Sequence, residues 1–351
     1  MNKMLGAVLG LGLCGLLSPS CKKEAARQAE IQGTEVKQSS VSMAKISLGF
    51  STSMEDSRGV ASLLFKEEVE KNSNGQITID IHSDGELGND SELIEGIING
   101  DVDMTVSSAG NFAIYATKCG ISAMPFLFSG FEEAWQFMDS DIQAEASKSL
   151  EEFGIIVLSY YDNGFRCVTT TDRPVNTVAD MKGLNIRTPP NQIVMETMVA
   201  LGATPRPYAF TELKKALRDG LFDSQENPIP VIYTSKLYEE QKYLAVTNHS
   251  YDAMPLVIRK DLWDEFSEAD RAILLDAARK AQDMNRRLVK EQTESCVAKL
   301  REAGMMITNP DLKAFQAATG SVMDVFSNVY GTELLLKLKN FVSASQSTTS
   351  L

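Results

Sequence analysis

Over 351 residues the chain carries 34 Lys+Arg against 47 Asp+Glu, a formal charge of −13, and 43% of it is hydrophobic. That is enough for one large core or two smaller ones, and the acidic balance argues against binding nucleic acid or an anionic membrane surface. Only His82 and His249 are present, and the five cysteines form no CxxC pattern, so neither a metal, a redox pair nor another cofactor is expected.

Met1-Asn2-Lys3 and the apolar run Leu5–Leu17 read as an export signal, too short to span a bilayer comfortably. Ser18-Pro19-Ser20-Cys21 resembles a bacterial lipoprotein cleavage site, although Leu17 stands one place early. Residues 1–20 are therefore expected to be removed and Cys21 lipidated. Residues 21–44, rich in Lys, Gln, Ser and Glu, are expected to form a flexible tether. Cys119, Cys167 and Cys296 are expected to be buried thiols.

Lys45–Phe50 starts a strand, and Val60, Leu63, Leu64 and Val69 mark a helix from about Asp56. Asn74-Gly75 turns it into the alternating strand Gln76–His82. Asn89 or Asp90 can cap a helix facing the core with Leu93, Ile94, Ile97 and Ile98, and Asp101–Val106 is strand again. Strand–helix–strand–helix–strand is the pattern of a parallel sheet. Ala123–Phe128 reads as a buried loop or crossover. One long helix is expected over Phe131–Phe153, then a strand Ile155–Tyr160 and a turn Asp162–Arg166.

The alternation resumes with Thr177–Lys182, a strand ending at Arg187, helix Gln192–Leu201, strand Thr204–Tyr208, helix Thr211–Arg218 and a strand over Leu221–Pro228. Ser267-Glu268-Ala269-Asp270 opens a helical pattern that runs to Ala303 and closes at Gly304. Unbroken, it would extend roughly 55 Å at about 1.5 Å per residue, the length of a strut across two lobes.

Leu184, Ile186 and Thr188 alternate with polar neighbours, and Pro189-Pro190 stops the strand, since neither proline has an N–H for a ladder. Arg187 therefore stands at the carboxyl end of a strand, the side of an open α/β sheet that faces its ligand crevice. A guanidinium there is a planar fork suited to a carboxylate. Arg166 and Asn227 also end or follow expected strands. The set suits a small organic anion, and it lacks a nucleophile–base pair, a phosphate loop and a metal cluster.

Several segments, in order, resemble the DctP-type solute-binding proteins of TRAP transporters. They are Glu86-Leu87-Gly88, Asp101–Met104, Pro125–Phe128, Asp162–Arg166 (DNGFR), Asp180–Pro189 (DMKGLNIRTP), Leu201–Phe210 (LGATPRPYAF), Gln225–Pro228 (QENP) and Tyr238–Tyr243 (YEEQKY). The likeness covers about 45–312. It implies an α/β fold of two hinged, periplasmic-binding-protein-like lobes with a long helix spanning both. One lobe would comprise 45–163 with about 253–292, and the other 164–252 with about 293–340, leaving 341–351 as a tail.

It further implies a monomeric periplasmic receptor, not an enzyme, that delivers a carboxylate ligand to the TRAP membrane permease subunits. Arg187 would hold the carboxylate, Arg166 and Asn227 would assist, Phe210 would pack on the ligand, and Ser108 and Asn111 would reach in from the first lobe. Sialic-acid binders of the family carry Glu and Arg where this chain has Ser108 and Asn111, and Asn where it has Pro190, so sialate is not expected. A sugar acid such as a uronate or aldonate is the preferred ligand. A keto acid, a C4-dicarboxylate or a more hydrophobic carboxylate is the alternative. A secreted enzyme acting on small acids is a remoter one. It would need an acid–base pair, for which Glu226 is the one tempting carboxylate, although beside Asn227 it suits orienting an arginine.

Overall fold

The computed structural model describes residues 43–349; the export signal, Cys21 and nearly all of the expected tether lie outside them. The chain begins with β1 (Ala44–Gly49), α1 (Ser57–Asn72), β2 (Ile77–His82), α2 (Asp90–Asn99) and β3 (Met104–Val106). Asp56 caps α1 by accepting from the Arg58 backbone, and Asn89 and Glu92 form a capping box on α2. Asn74 and Gly75, both at positive φ, make the tight reversal into β2.

Short helices α3 (Ala109–Phe112), α4 (Phe131–Met138) and α5 (Asp141–Ser147) lead to β4 (Ile155–Thr170). Next come β5 (Asn185–Thr188), α6 (Gln192–Ala200), β6 (Thr204–Pro207), α7 (Leu213–Arg218), β7 (Ser224–Pro228) and α8 (Ile229–Thr234). The last part holds β8 (Tyr243–Arg259), α9 (Lys260–Glu265), α10 (Glu268–Glu302), β9 (Met306–Thr308), α11 (Leu312–Ala318) and α12 (Val322–Thr349).

The described strands form one sheet ordered β2-β1-β3-β8-β4-β7-β5-β6, with β9 beside β8. Parallel pairs lie on both flanks, β1 with β2 and β3, and β5 with β6 and β7. Between them β4 and β8 run antiparallel along their whole length, so the two lobes share two long strands. The register slips between Asp162 and Gly164, where Gly164 has φ +107°. A bulge of this kind bends the strand and lets two halves of a sheet differ in orientation.

Helix α10 joins the lobes on one face. Leu274, Ala277 and Ala281 pack into a core with Ile46, Phe65 and Leu256, whereas Cys296 and Leu300 pack with Leu213, Phe222 and Ile232. Ser267 caps its start by accepting from the Asp270 backbone, and its 35 residues make it roughly 52 Å long at about 1.5 Å each. Cys119, Cys167 and Cys296 are free and buried.

Three expectations need correction, and one strand was not expected at all. The single helix over Phe131–Phe153 is α4, α5 and a 3-10 turn, because Ser140 is extended (φ −86°, ψ 157°) and breaks the helix after Asp139. Asp162–Arg166 is not a turn after a short strand but the middle of the 16-residue β4. Strand β8, 17 residues long, had no counterpart in the sequence reading, since it is buried on both faces and shows no alternation. Thr177–Lys182 yields only a 3-10 turn over Val178–Met181.

Candidate functional site

Arg187 lies at the carboxyl end of β5 and is 2% exposed. Its Nε and Nη2 both donate to the Tyr208 carbonyl, at 2.8 and 2.6 Å. Tyr208 is held in turn by its own N–H on the Thr188 carbonyl, so the strand end and the segment after β6 fix the guanidinium between them. The Phe210 ring centroid lies 5.9 Å from the guanidinium carbon. No described carboxylate is within ion-pairing distance of Arg187. Burial, then the neighbouring Arg166 charge, pull its pKa down to about 10. With the Nε/Nη2 edge used by Tyr208, the Nη1/Nη2 edge remains for an incoming anion.

Arg166, on β4 and 3% exposed, is in a different state. Its Nε pairs with Glu226 Oε2, and its Nη2 donates to Glu226 Oε1 at 2.8 Å, to the Glu226 carbonyl at 2.7 Å and to Asn227 Oδ1 at 3.2 Å. Its Nη1 donates to Asp252 Oδ2 at 2.6 Å. Burial opposes the charge, but Glu226 and Asp252 outweigh it and hold the guanidinium firmly protonated. Glu226 is fully buried; burial works to raise its pKa, yet Arg166 and His249 bring it below the usual carboxylate range. His249 Nε2 lies 3.2 Å from Glu226 Oε2 and its Nδ1 lies 2.8 Å from Thr247 Oγ1.

Asp252, on β8, is the junction of this network. It accepts from Arg166, from Asn163 Nδ2 at 2.8 Å, and from Ser108 Oγ at the start of α3. Asn111 Nδ2 donates to Ser107 Oγ at 2.9 Å, and Ser107 and Ser51 each donate to one oxygen of Asp90 at 2.9 Å. The Asp90 charge also acts on Arg187. The buried Asn111 Oδ1, Asn163 Oδ1 and Thr188 Oγ1 have no protein partner. Unpartnered buried polar atoms are uncommon and ask for a ligand or water.

A family model described as "Bacterial extracellular solute-binding protein, family 7" (DctP) matches residues 49–328. The chain belongs to the DctP family. It is 34% identical over 290 residues to the 2,3-diketo-L-gulonate-binding periplasmic protein YiaO of Escherichia coli, covering 82% of this chain and 88% of that one. A crystal structure of a TRAP periplasmic solute-binding protein from Polaromonas sp. JS666, bound to D-erythronate, superposes with a TM-score of 0.82 at 32% identity, covering 84% of this chain and 98% of that chain. The sugar acid binding protein from Advenella mimigardefordensis, in complex with galactonate, gives 0.83 at 27% identity, covering 87% and 99%. These matches establish the two-lobed solute-binding fold and the receptor class.

Within this DctP protein the residues singled out in the sequence fall into three sets. Arg166, Asn227 and Ser108 meet around Asp252 and Glu226, and Arg187 meets Phe210; Asn111 belongs to the Ser107–Asp90 side. One expectation is corrected. The two guanidiniums do not both await an anion, because Arg166 is already neutralised by Glu226 and Asp252 and keeps one N–H of Nη1 at most. Two carboxylates that were not among the expected site residues, Asp90 and Asp252, also stand beside the site. Asp252 gave no sequence signal, being one carboxylate in a strand without alternation. Asp90 was visible only as a candidate helix cap, a role taken by its neighbour Asn89. Glu226 as the residue that orients an arginine is borne out by its fork on Arg166.

Proposed function

We propose that this protein is the extracytoplasmic receptor of a TRAP transporter, that it captures a small monocarboxylate carrying hydroxyl groups, and that it presents this acid to the membrane permease. The observation that carries the reading is Arg187, buried, charged and without a carboxylate partner, one edge of its fork spent on Tyr208 and the other free. A ligand carboxylate completes it with two parallel hydrogen bonds. Arg166 and Asn227 assist from the side, Phe210 offers an apolar face, and Ser108 and Asn111 face the ligand from the first lobe. The unpartnered Asn111 Oδ1 and Asn163 Oδ1 suit ligand hydroxyls.

The ligands of YiaO and of the two structures above, all hydroxylated acids, support a sugar acid. A C4-dicarboxylate is the second reading, favoured by a relative named C4-dicarboxylate-binding protein in Bacillus subtilis at 25% identity. Against it, the cations beside the site are already paired, Arg166 with Glu226 and Asp252 and Arg58 with Asp56 and Asp90, so a second carboxylate would find no free counter-charge there. The buried Glu226 is tied to Arg166, so the site lacks a free acid–base pair, and the protein binds without chemistry. Cys21 is proposed as a lipid anchor and 1–20 as the signal. No helix among the described residues is long and apolar enough to cross a membrane. We take the hinge to lie at the bulge near Asn163, dividing the lobes at about 163 and 252.

Mass spectrometry of the acid that co-purifies with the protein, followed by calorimetry with uronates, aldonates, keto acids and C4-dicarboxylates, tests this reading. Binding of hydroxylated monocarboxylates, returned unchanged, is the expected result. Binding of succinate or malate alone would overturn the ligand class, and binding of neutral sugars alone would overturn the role of Arg187 as well.

A further inference from the structure

We infer that the ligand cleft continues past Phe210 into a second, hydroxyl-lined chamber, and that Thr52 there makes the receptor select longer sugar acids over four-carbon ones. The inference rests on the carboxylate-receptor reading. A cavity of about 250 Å3 lies between the turn that follows β1, with Thr52 and Ser53, and a facing wall of Phe210, Thr211, Lys214 and Ser235. Phe210 belongs to both regions, since its ring also faces the Arg187 guanidinium. An acid anchored on Arg187 and lying along Phe210 therefore carries its far end into this chamber. The outer lip is narrow. A Cβ at Gly85 would stand 2.8 Å from Thr211 Cγ2, so the Gly85 turn sits directly against Thr211.

The polar inventory tells what the chamber would take. Thr52 is 3% exposed and its Oγ1 has no partner. Ser53, Thr211 and Ser235 also make no side-chain hydrogen bond among the described residues. By contrast, Ser51 is committed to Asp90 and Thr234 to the Pro230 carbonyl, so they belong to the frame. The Lys214 ammonium is paired with Glu239, which leaves no free cation to welcome a second carboxylate. Uncommitted hydroxyls both donate and accept, and so match the alternating donor–acceptor surface of a polyol. An apolar tail would leave Thr52 unsatisfied, and a four-carbon acid would end before reaching it.

Calorimetry of the full chain with a four-carbon aldonate and a six-carbon aldonate, in the unaltered protein, Thr52→Val and Ser235→Ala, tests the chamber. The six-carbon acid should bind at least about 10-fold tighter to the unaltered protein, as each satisfied buried group is worth that order. Thr52→Val, nearly isosteric, should lower the six-carbon affinity about 10-fold and leave the four-carbon affinity within about twofold. Ser235→Ala repeats the test at a more exposed position, should Thr52→Val lose its thermal transition. Equal losses for both acids, or no loss for either, would overturn the proposal and make the chamber a solvent-filled mouth. If both acids bind equally well to the unaltered protein, the chamber fails while the receptor reading stands. If neither aldonate binds but another carboxylate does, the chamber falls and the receptor reading stands; if no carboxylate binds, both fall together.

Discussion

Arg187 and Arg166 are the same side chain in two electrostatic states, and the difference lies in their neighbours. Arg166 is enclosed by two carboxylates and serves as part of the frame; Arg187 has only a carbonyl and a ring. Arg187→Ala should therefore leave the fold intact and cost binding of any validated acid ~2–5 kcal/mol in calorimetry, the range for removing one side of a desolvated ion pair. Arg187→Lys should also bind poorly, because an ammonium cannot make the two-pronged grip. Unchanged affinity in either variant would remove Arg187 from the site.

Asp162 supplies a pH dependence at the same scale. It is fully buried at the bulge and accepts from Trp135 Nε1 at 2.6 Å, while its Oδ1 has no partner. Burial raises its carboxyl to about 7 from 3.8, against the lowering effect of Trp135 and Arg286. Between those two values the unfolded chain releases the proton while the folded protein retains it. The contribution of this group to stability therefore declines as pH rises through that window. Asp162→Asn keeps an acceptor for Trp135 and abolishes the titration. Its melting temperature, measured against the unaltered protein, should rise progressively from pH 4 to 7.5; parallel curves would refute the assignment.

At the scale of elements, the ends of short helices meet where the lobes face each other. Asn191 caps α6 through its Oδ1, accepting from the Ile193 and Val194 backbones. Its amide nitrogen is thereby turned onto α3, where a Cβ at Gly110 would stand only 2.0 Å away. Because the cap holds the Asn191 side chain, it cannot swing aside without losing two hydrogen bonds. Gly110→Ala should accordingly hold the facing surfaces apart and weaken ligand binding about 10-fold or more, while the melting temperature of the ligand-free protein changes little. A full loss of folding would instead show that the contact belongs to the core. The bulge in β4 and the unbroken α10 complete the picture, one permitting bending and the other keeping both lobes on a common strut.

For the whole molecule, closure on the proposed hinge is a bending motion about the β4 bulge, with the shared strands and α10 keeping the lobes joined. The solution scattering radius of gyration should fall when a saturating sugar acid is added. It should fall less in Gly110→Ala, which cannot bring α3 against Asn191. Identical curves with and without ligand in the unaltered protein would indicate a rigid cleft.

Much of this was legible in the amino-acid sequence, for local reasons. The capping residues Asp56, Asn89 and Ser267, the Asn74-Gly75 reversal and the proline stop after Arg187 act within a few residues of themselves, and each sits where pattern and propensity place it. The family motifs carried the receptor class and the two-lobed fold. The continuation of β4 beyond Tyr160 and the whole of β8 escaped because a strand covered on both faces has no alternation, and DNGFR looks like a turn until β8 lies alongside it. Which arginine is free was also beyond a linear reading. Glu226 and Asp252 lie 60 and 86 residues from Arg166, and only the pairing of β4 with β7 and β8 sets them around it and leaves Arg187 without an ion-paired carboxylate.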